Sequence, residues 1–375
     1  MRAIHPKKSA IHHGDCVELL EATSPGWARL AFADPPFNIG YKYDSYDDAR
    51  EYREYVAWSR RWIEAAVRAL TPDGSLYIAI GDEYAAELRI IGRELGLTLR
   101  NWIIWHYGFG QNTKTKFARS HAHVLYFVRD PKQHVFNDSQ LRFPSLRHTE
   151  YGDRRANPAG RLPDDVWNEF PRVCGTFAER QGWHGCQMPE ALLMRIIRAS
   201  SLPDDTVLDP FSGSGTTASA AVLLGRVGVG IEQSAEYVES GRRRLELAVA
   251  RARTWRAPTE SGWSDFERQC LKDLYRETET PMESLAVNEA AMNCIAACLE
   301  ARTGRAIEPA EIRAELERLY ARNLLPRFKN DRPFQPKRYR KAAHAPDRKL
   351  TEAWFAGVPS SLKKRNEHGQ SMLGI

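Results

Sequence analysis

The chain has 375 residues, 42% hydrophobic and 27% charged, with a formal net charge of +6. This composition is globular; it excludes a disordered class, and no apolar run approaches the roughly 18 residues of a membrane span. Six cysteines in this length are too few for a disulfide scaffold, and the opening MRAIHPKKSAIHHGD has no apolar signal core, so a cytoplasmic protein is expected.

From Ser9 the pattern alternates short apolar strands with helices, the signature of an α/β sheet. AIHHGD reads as a strand and turn, CVELLEA as a helix, and ARLAFA (28–33) as a buried strand ending at Asp34. Residues 49–70 carry apolar side chains at helical spacing and stop before the turn cluster Thr71-Pro72-Asp73-Gly74. SLYIAI is then a strand, Glu83 to Leu95 a helix, and LRNWIIWH and HAHVLYFV two further strands. Residues 130–182 break the rhythm with Pro, Gly, Asn and Arg, as an inserted recognition segment or a long loop region would. ALLMRIIRASS, TVLDPF, TTASAAVLLG, VGVGIE and 235–255 restore it as helix, strand, helix, strand and helix. Three helices are expected at 263–276, 284–301 and 309–322. The expected organisation is a catalytic domain over 1–258, with the insert at 130–182, and a helical, basic extension over 259–375.

Two segments carry chemistry. In Val207-Leu208-Asp209-Pro210-Phe211-Ser212-Gly213-Ser214-Gly215-Thr216-Thr217 a strand runs into a glycine-rich turn and a helix start, and the next strand ends at Glu232. The glycines allow close approach of a ligand, and a terminal acidic residue suits ribose hydroxyls. The third glycine of a dinucleotide fingerprint is replaced by Ala218, and no Gly-Lys-Ser/Thr phosphate loop is present, which disfavours a nicotinamide cofactor. Asp209 would repel a pyrophosphate but suits the cationic methionine end of S-adenosylmethionine.

The second segment is Asp34-Pro35-Pro36-Phe37. An exocyclic amine conjugated with a base ring is a poor nucleophile, and acceptors that engage its N–H groups would orient its lone pair. Asp34 and the Pro35 carbonyl are such acceptors; Pro35 and Pro36 have no backbone donor and fixed φ, and Phe37 offers a stacking face. A lone Asp-Pro-Pro is usually a turn, but here it ends a buried strand and coexists with the Asp209 to Glu232 unit. Cys174, His184 and Cys186 are of metal-ligand type, but they lack a fourth ligand at short spacing, and no metal is expected.

Over about positions 10–250, with Gly14-Asp15-Cys16, ADPPFN, LDPFSGSGTT and GIE in that order, the sequence resembles the permuted beta group of DNA amino-methyltransferases, which modify adenine N6 or cytosine N4. The resemblance implies a Rossmann-like, S-adenosylmethionine-dependent fold: a mixed sheet with helices on both faces, permuted motif order and a C-terminal helical extension. It implies catalytic roles for Asp34, Pro35, Pro36 and Phe37. It implies cofactor binding by Asp15, Asp209, Pro210, Phe211, Ser212, Gly213, Ser214, Gly215, Thr216 and Glu232. Where the family has His-Pro-x-x-Lys-Pro, this chain has His184-Gly185-Cys186-Gln187-Met188-Pro189, so the lysine and the first proline are absent and contacts to the methionine carboxylate are in question.

Asp rather than Ser at the first catalytic position favours adenine in DNA, with N4-cytosine as the alternative. RNA adenine methylation and a non-catalytic DNA-binding protein with a decayed site are the other readings. Double-stranded DNA is the expected partner, with its target base flipped out, and the resemblance adds a homodimer and a cognate restriction endonuclease. Arg142, Arg147, Arg154, Arg155 and Arg161 in the insert, and Lys337, Arg338, Arg340 and Lys341 in the basic, aromatic-interleaved tail, are the candidate DNA contacts. Trp102, Trp105, Tyr107 and Phe109 could plug the vacated stack or belong to the core.

Overall fold

The computed structural model describes residues 4–41, 48–108, 113–149, 151–175, 179–259 and 261–328, with the backbone of two short strands at 363–365 and 371–373. The tail candidates Lys337, Arg338, Arg340 and Lys341, and Phe109, lie outside the described residues. The chain divides into one compact unit over Met1–Phe328 and a second over Lys329–Ile375.

In the first unit the elements run β1 (Ala10–His13), α1 (Cys16–Glu21), β2 (Ala28–Ala33), α2 (Tyr52–Ala69), β3 (Leu70–Ile80), α3 (Ala85–Glu94), β4 (Thr98–His106) and β5 (His121–Val128). Among its described residues the insert holds a 3-10 turn (Asp138–Gln140), α4 (Leu146–Thr149) and β6 (Val166–Trp167). There follow α5 (Glu190–Ser200), β7 (Thr206–Asp209), α6 (Thr216–Leu223), β8 (Val227–Glu232), α7 (Ala235–Trp255), α8 (Asp265–Thr278), α9 (Met282–Ala286), α10 (Glu289–Thr303) and α11 (Pro309–Ala321). The second unit contains an antiparallel pair, β9 (Lys363–Arg365) and β10 (Ser371–Leu373).

The strands of the first unit form one mixed sheet in the order β1-β8-β7-β2-β3-β5-β4-β6. The pairs from β1 through β3 are parallel, and β5 alone runs against its neighbours β3 and β4. From β2 the chain moves through α2 to β3 on one side, and from β7 through α6 to β8 on the other. The connections therefore diverge between β2 and β7, and the crevice at such a switch point, outside the carboxyl ends of the strands, is where open α/β sheets bind ligands.

Alternation along the strands sends side chains to two layers. Leu30, Phe32, Tyr77, Ala79 and Val207 pack with α5, α6 and α8–α11, whereas Ala31, Ala33, Leu76, Ile78 and Leu208 pack with α1, α2 and α3. The mixed sheet with helices on both faces is thus as expected. Among the described residues no helix is long and apolar enough to cross a membrane.

Three local expectations are corrected. The helix expected from 49 begins at Tyr52, because the Glu51 carboxylate accepts from Arg53 N at 2.7 Å and caps it. Residues 71–74 are not a free turn but an irregularity inside β3, whose Leu70 still pairs with Ala28. The helix expected over 284–301 is two, divided where Asn288 accepts from Ala291 N at 2.9 Å and starts α10.

The boundary expected at 258 is also corrected. Cys270, Leu274, Met292, Ile295 and Leu316 belong to the same core as the sheet and α5. Arg195 of α5 bridges Glu169 of the insert at 2.5 Å and Glu277 of α8 at 2.9 Å, and Arg302 of α10 meets Glu277 at 2.7 Å. Burial pushes the Glu277 carboxyl up, but Arg302 and Arg195 outweigh it and hold it below its ordinary value. The helices after 258 therefore continue one helical layer, and the division falls after Phe328.

Candidate active site

Asp34 and Asp209 stand at the carboxyl ends of β2 and β7, strands held side by side by the pairs Leu30↔Val207 and Ala31↔Leu208. Both open into one cavity of about 720 Å³, which Asp15, Pro35, Pro36, Phe37, Pro210, Phe211, Ser212, Gly213, Ser214, Thr216 and Glu232 also line. That volume is within the range of small-molecule sites. Gly215 is not among the lining residues; it is the cap of α6, with φ 71°.

Burial in a low-dielectric recess raises a carboxyl's proton affinity, and a neighbouring negative charge raises it further: Asp209 does so for Asp34, and Glu232 for Asp209. Asp34 opens onto the cavity but is crowded by protein elsewhere. Burial and then the charge of Asp209 push it up to about 8, against the opposing pull of Arg172. Burial pushes Asp209 up to about 7, although Thr217 and the Phe211 N–H, which donates at 3.0 Å, pull the other way.

The ledge after Asp34 is fixed from behind. Tyr55 Oη of α2 donates to the Pro36 carbonyl at 2.7 Å, whereas no described group donates to the Pro35 carbonyl. Asn38 sits at φ 57°, held there by Arg50 N, which donates to its Oδ1 at 2.7 Å, and by its own Nδ2, which donates to Tyr84 Oη at 2.7 Å. Buried Asp48 accepts from the backbone of Asn38, Ile39 and Tyr41. Phe37 lies close over Gly81, where an added Cβ would come within 3.2 Å of its ring.

The glycine turn is similarly tight. Gly213 has φ 45°, a conformation costly for other residues, and a Cβ there would come within 2.8 Å of His184 Nε2. Glu232 accepts from Gly213 N at 2.8 Å and Ser234 N at 2.9 Å, so it closes the turn as well as facing the cavity. Asp15 caps α1 through Val17 N and takes a bond from Gln233 Nε2 at 2.8 Å. Ser214 and Thr216 hydroxyls bond each other at 2.7 Å, while Phe211 meets Trp62 edge-on with centroids 5.1 Å apart.

Several residues had no distinctive sequence signal. Arg244 of α7 runs beneath the turn and donates to the Ser214 carbonyl and Thr216 Oγ1 at 3.1 and 2.6 Å. Tyr55 was simply part of a helical pattern. Arg172, from the insert, reaches the cavity and lies 5.8 Å from the Tyr107 ring centroid. Beside it Asp82 accepts from His123 Nε2 at 2.8 Å and meets His121 at 3.2 Å. These three could surround a cation, but Trp102 Nε1 donates to His123 Nδ1 at 2.9 Å, which places the His123 proton on Nε2 and removes the lone pair a metal needs.

Unlike Arg172, the five insert arginines expected to contact DNA do not line the cavity. Arg142 is bound to Asp138 at 2.6 Å and to the Gly160 carbonyl; Arg147 and Arg155 share Asp153; and Arg161 stacks on Phe143 at 4.3 Å. Arg154 has no ion pair or hydrogen bond with a described residue. Trp105 is buried, with its indole donating to the Phe170 carbonyl at 2.7 Å, and both Trp105 and Tyr107 line the cavity.

The residues fit S-adenosylmethionine: five carboxyl side chains (Asp15, Asp34, Glu83, Asp209, Glu232) line the recess, which suits a cationic ligand without phosphate, and Ser212 Oγ is buried with no hydrogen-bond partner among the described residues. The sequence profile of the DNA methylase family matches residues 28–243, more than half of the chain. The chain therefore belongs to the DNA methylase family, which uses S-adenosylmethionine to methylate adenine N6 or cytosine N4 in DNA. It is 36% identical to the type II methyltransferase M.HpaI of Haemophilus parainfluenzae over 58% of this chain and 68% of that one. It is 36% identical to the DNA adenine methyltransferase YhdJ of Escherichia coli K12, over 64% and 83%. A solved complex of M1.HpyAVI with S-adenosylmethionine aligns at 22% identity and a TM-score of 0.46, over 63% and 98%.

Proposed function

We propose that the chain is a site-specific DNA methyltransferase that takes its target nucleotide out of the duplex and methylates adenine at N6. The observation carrying this reading is the meeting of Asp34 and Asp209, from segments far apart in sequence, at adjacent strand ends in one cavity. Asp at position 34, and similarity to a relative named a DNA adenine methyltransferase, support adenine over the N4-cytosine alternative.

When bound, S-adenosylmethionine supplies a methyl group on a cationic sulfonium. Glu232, with acceptor capacity beyond its two backbone bonds, takes the ribose hydroxyls, while Asp209 faces the cationic end and the Gly213 turn admits the ligand closely. Asp34 accepts one N–H of the target amine and the Pro35 carbonyl the other, freeing the nitrogen lone pair from conjugation with the ring; Phe37 stacks on the base. Asp34, raised by burial, is basic enough to hold the proton that the methylated amine sheds.

The insert 130–182 is read as the recognition segment, with Arg154 and Arg172 as contacts to the DNA. The basic tail, including Lys337, Arg338, Arg340 and Lys341, is read as a phosphate-binding extension. A second copy of the chain, a cognate restriction endonuclease and a cytoplasmic location belong to the same reading. The test is incubation with methyl-labelled S-adenosylmethionine and unmethylated mixed-sequence DNA, beside Asp34→Ala, followed by nucleoside mass spectrometry. N6-methyladenine from the wild type alone is expected. N4-methylcytosine would overturn the base assignment, and unmethylated DNA beside methylated RNA would overturn the substrate.

A further inference from the structure

The connection from β4 to β5 carries an aromatic side chain that the site does not use. Phe117 is 99% exposed, in the run Thr113-Lys114-Thr115-Lys116-Phe117-Ala118-Arg119-Ser120. A fully exposed phenylalanine forgoes the stabilisation that burying its ring would bring.

Its surroundings are not those of a frayed loop. Ser120 accepts from Tyr107 N at 2.9 Å, Thr113 Oγ1 donates to the Lys116 carbonyl, and Arg119 is clamped by Asp82, at 3.0 Å, and by Glu83, both just past the end of β3. The segment is thus closed on itself at Thr113 and tied at Arg119 and Ser120 to the strands that hold the site. Thr113, Lys116, Arg119 and His121 line the cavity that contains Asp34, so Phe117 sits at its mouth, between two lining residues. Lys114 and Lys116 are exposed and form no ion pair with a described residue.

We infer that Phe117 is a wedge for duplex DNA: it enters the gap in the base stack left by the nucleotide that turns into the cavity, while Lys114 and Lys116 hold the flanking phosphates. The inference rests on the proposed duplex substrate. An apolar ring can occupy an opened base step, cationic neighbours suit the backbone on either side, and the position at the mouth of the base cavity puts the wedge beside the nucleotide that leaves.

The test uses the full chain and duplex oligonucleotides carrying the methylated site, once mapped by sequencing genomic or plasmid DNA exposed to the enzyme. Phe117→Ala should lower kcat/KM on the paired duplex between about fivefold and a hundredfold, the range of a lost base–aromatic stack. On the same duplex with the target adenine mispaired, where unpairing costs least, the variant should return to within about twofold of the wild type. Phe117→Trp should retain activity on both. Unchanged cofactor affinity in calorimetry separates the effect from misfolding. If Phe117→Ala matches the wild type on the paired duplex, or loses equally on both duplexes, the wedge is overturned while the methyltransferase reading stands. Wild type inactive on every DNA would overturn both.

Discussion

Asp34 and Asp209 link cofactor binding to pH. With one group raised to about 8 and the other to about 7, the ligand-free pair retains about one proton near neutrality, as a coupled unit rather than on an assigned oxygen. A cation entering the recess favours the ionised form, so binding should expel that proton. For one expelled proton held at about 8, each pH unit below that value costs about 1.4 kcal/mol, so the dissociation constant for S-adenosylmethionine should fall roughly tenfold from pH 6 to pH 7 and level off above about pH 8. Titration calorimetry in two buffers of different ionisation enthalpy counts the protons directly: about one released at pH 7, near none at pH 9, and fewer in Asp34→Asn. Buffer-independent heats with a flat affinity between pH 6 and 8 would refute the coupling. In the ligand-free chain both values are raised, so their contribution to stability is full below the ordinary value of 3.8 and is lost as pH rises through 7 to 8.

Three other outcomes are expected. Gly213→Ala forces a Cβ toward His184 in a left-handed conformation, and should weaken cofactor binding at least fivefold by calorimetry and cost about 1–2 kcal/mol in urea unfolding. Tyr55→Phe removes the bond to the Pro36 carbonyl and should lower kcat by roughly five- to tenfold, about 1 kcal/mol, with cofactor affinity unchanged. Arg302→Met leaves buried Glu277 with Arg195 alone and should cost about 3 kcal/mol in urea unfolding. Because Glu277 is held below its ordinary 4.5, the wild-type contribution is full above that value and lost on acidification, a slope that should be shallower in the variant, where Arg195 alone opposes burial.

The strand ends that build the site were legible because each is a short apolar run closed by an unusual residue. ARLAFA stops at Asp34 and TVLD at Asp209, and burial of such runs needs only local pattern. Residues that support the site left no such trace. Tyr55 and Arg244 lie on helices at positions that any amphipathic pattern allows, and only the folded chain brings them under Pro36 and Ser214. The insert arginines looked alike in sequence, yet Asp138, Asp153 and Phe143 engage all but Arg154. Asn288 was read as an ordinary helical position because its role as a cap depends on a break in the backbone, not on hydrophobic period. The boundary at 258 failed for a related reason: a turn-rich stretch after a helix resembles a linker, and only tertiary packing shows that Cys270 and Leu274 complete the layer begun by α5.

The Arg195–Glu277–Arg302 knot limits how freely specificity can be exchanged. Arg302 also donates to the Arg142 carbonyl at 3.0 Å, Asn288 to the Thr149 carbonyl at 3.1 Å, and Glu169 is tied to Arg195. The insert is therefore not a cassette that a related enzyme's segment could simply replace. A graft confined to 130–182 would leave paired charges facing the wrong backbone, whereas one that carried α8 and α10 with it would move the whole lock together.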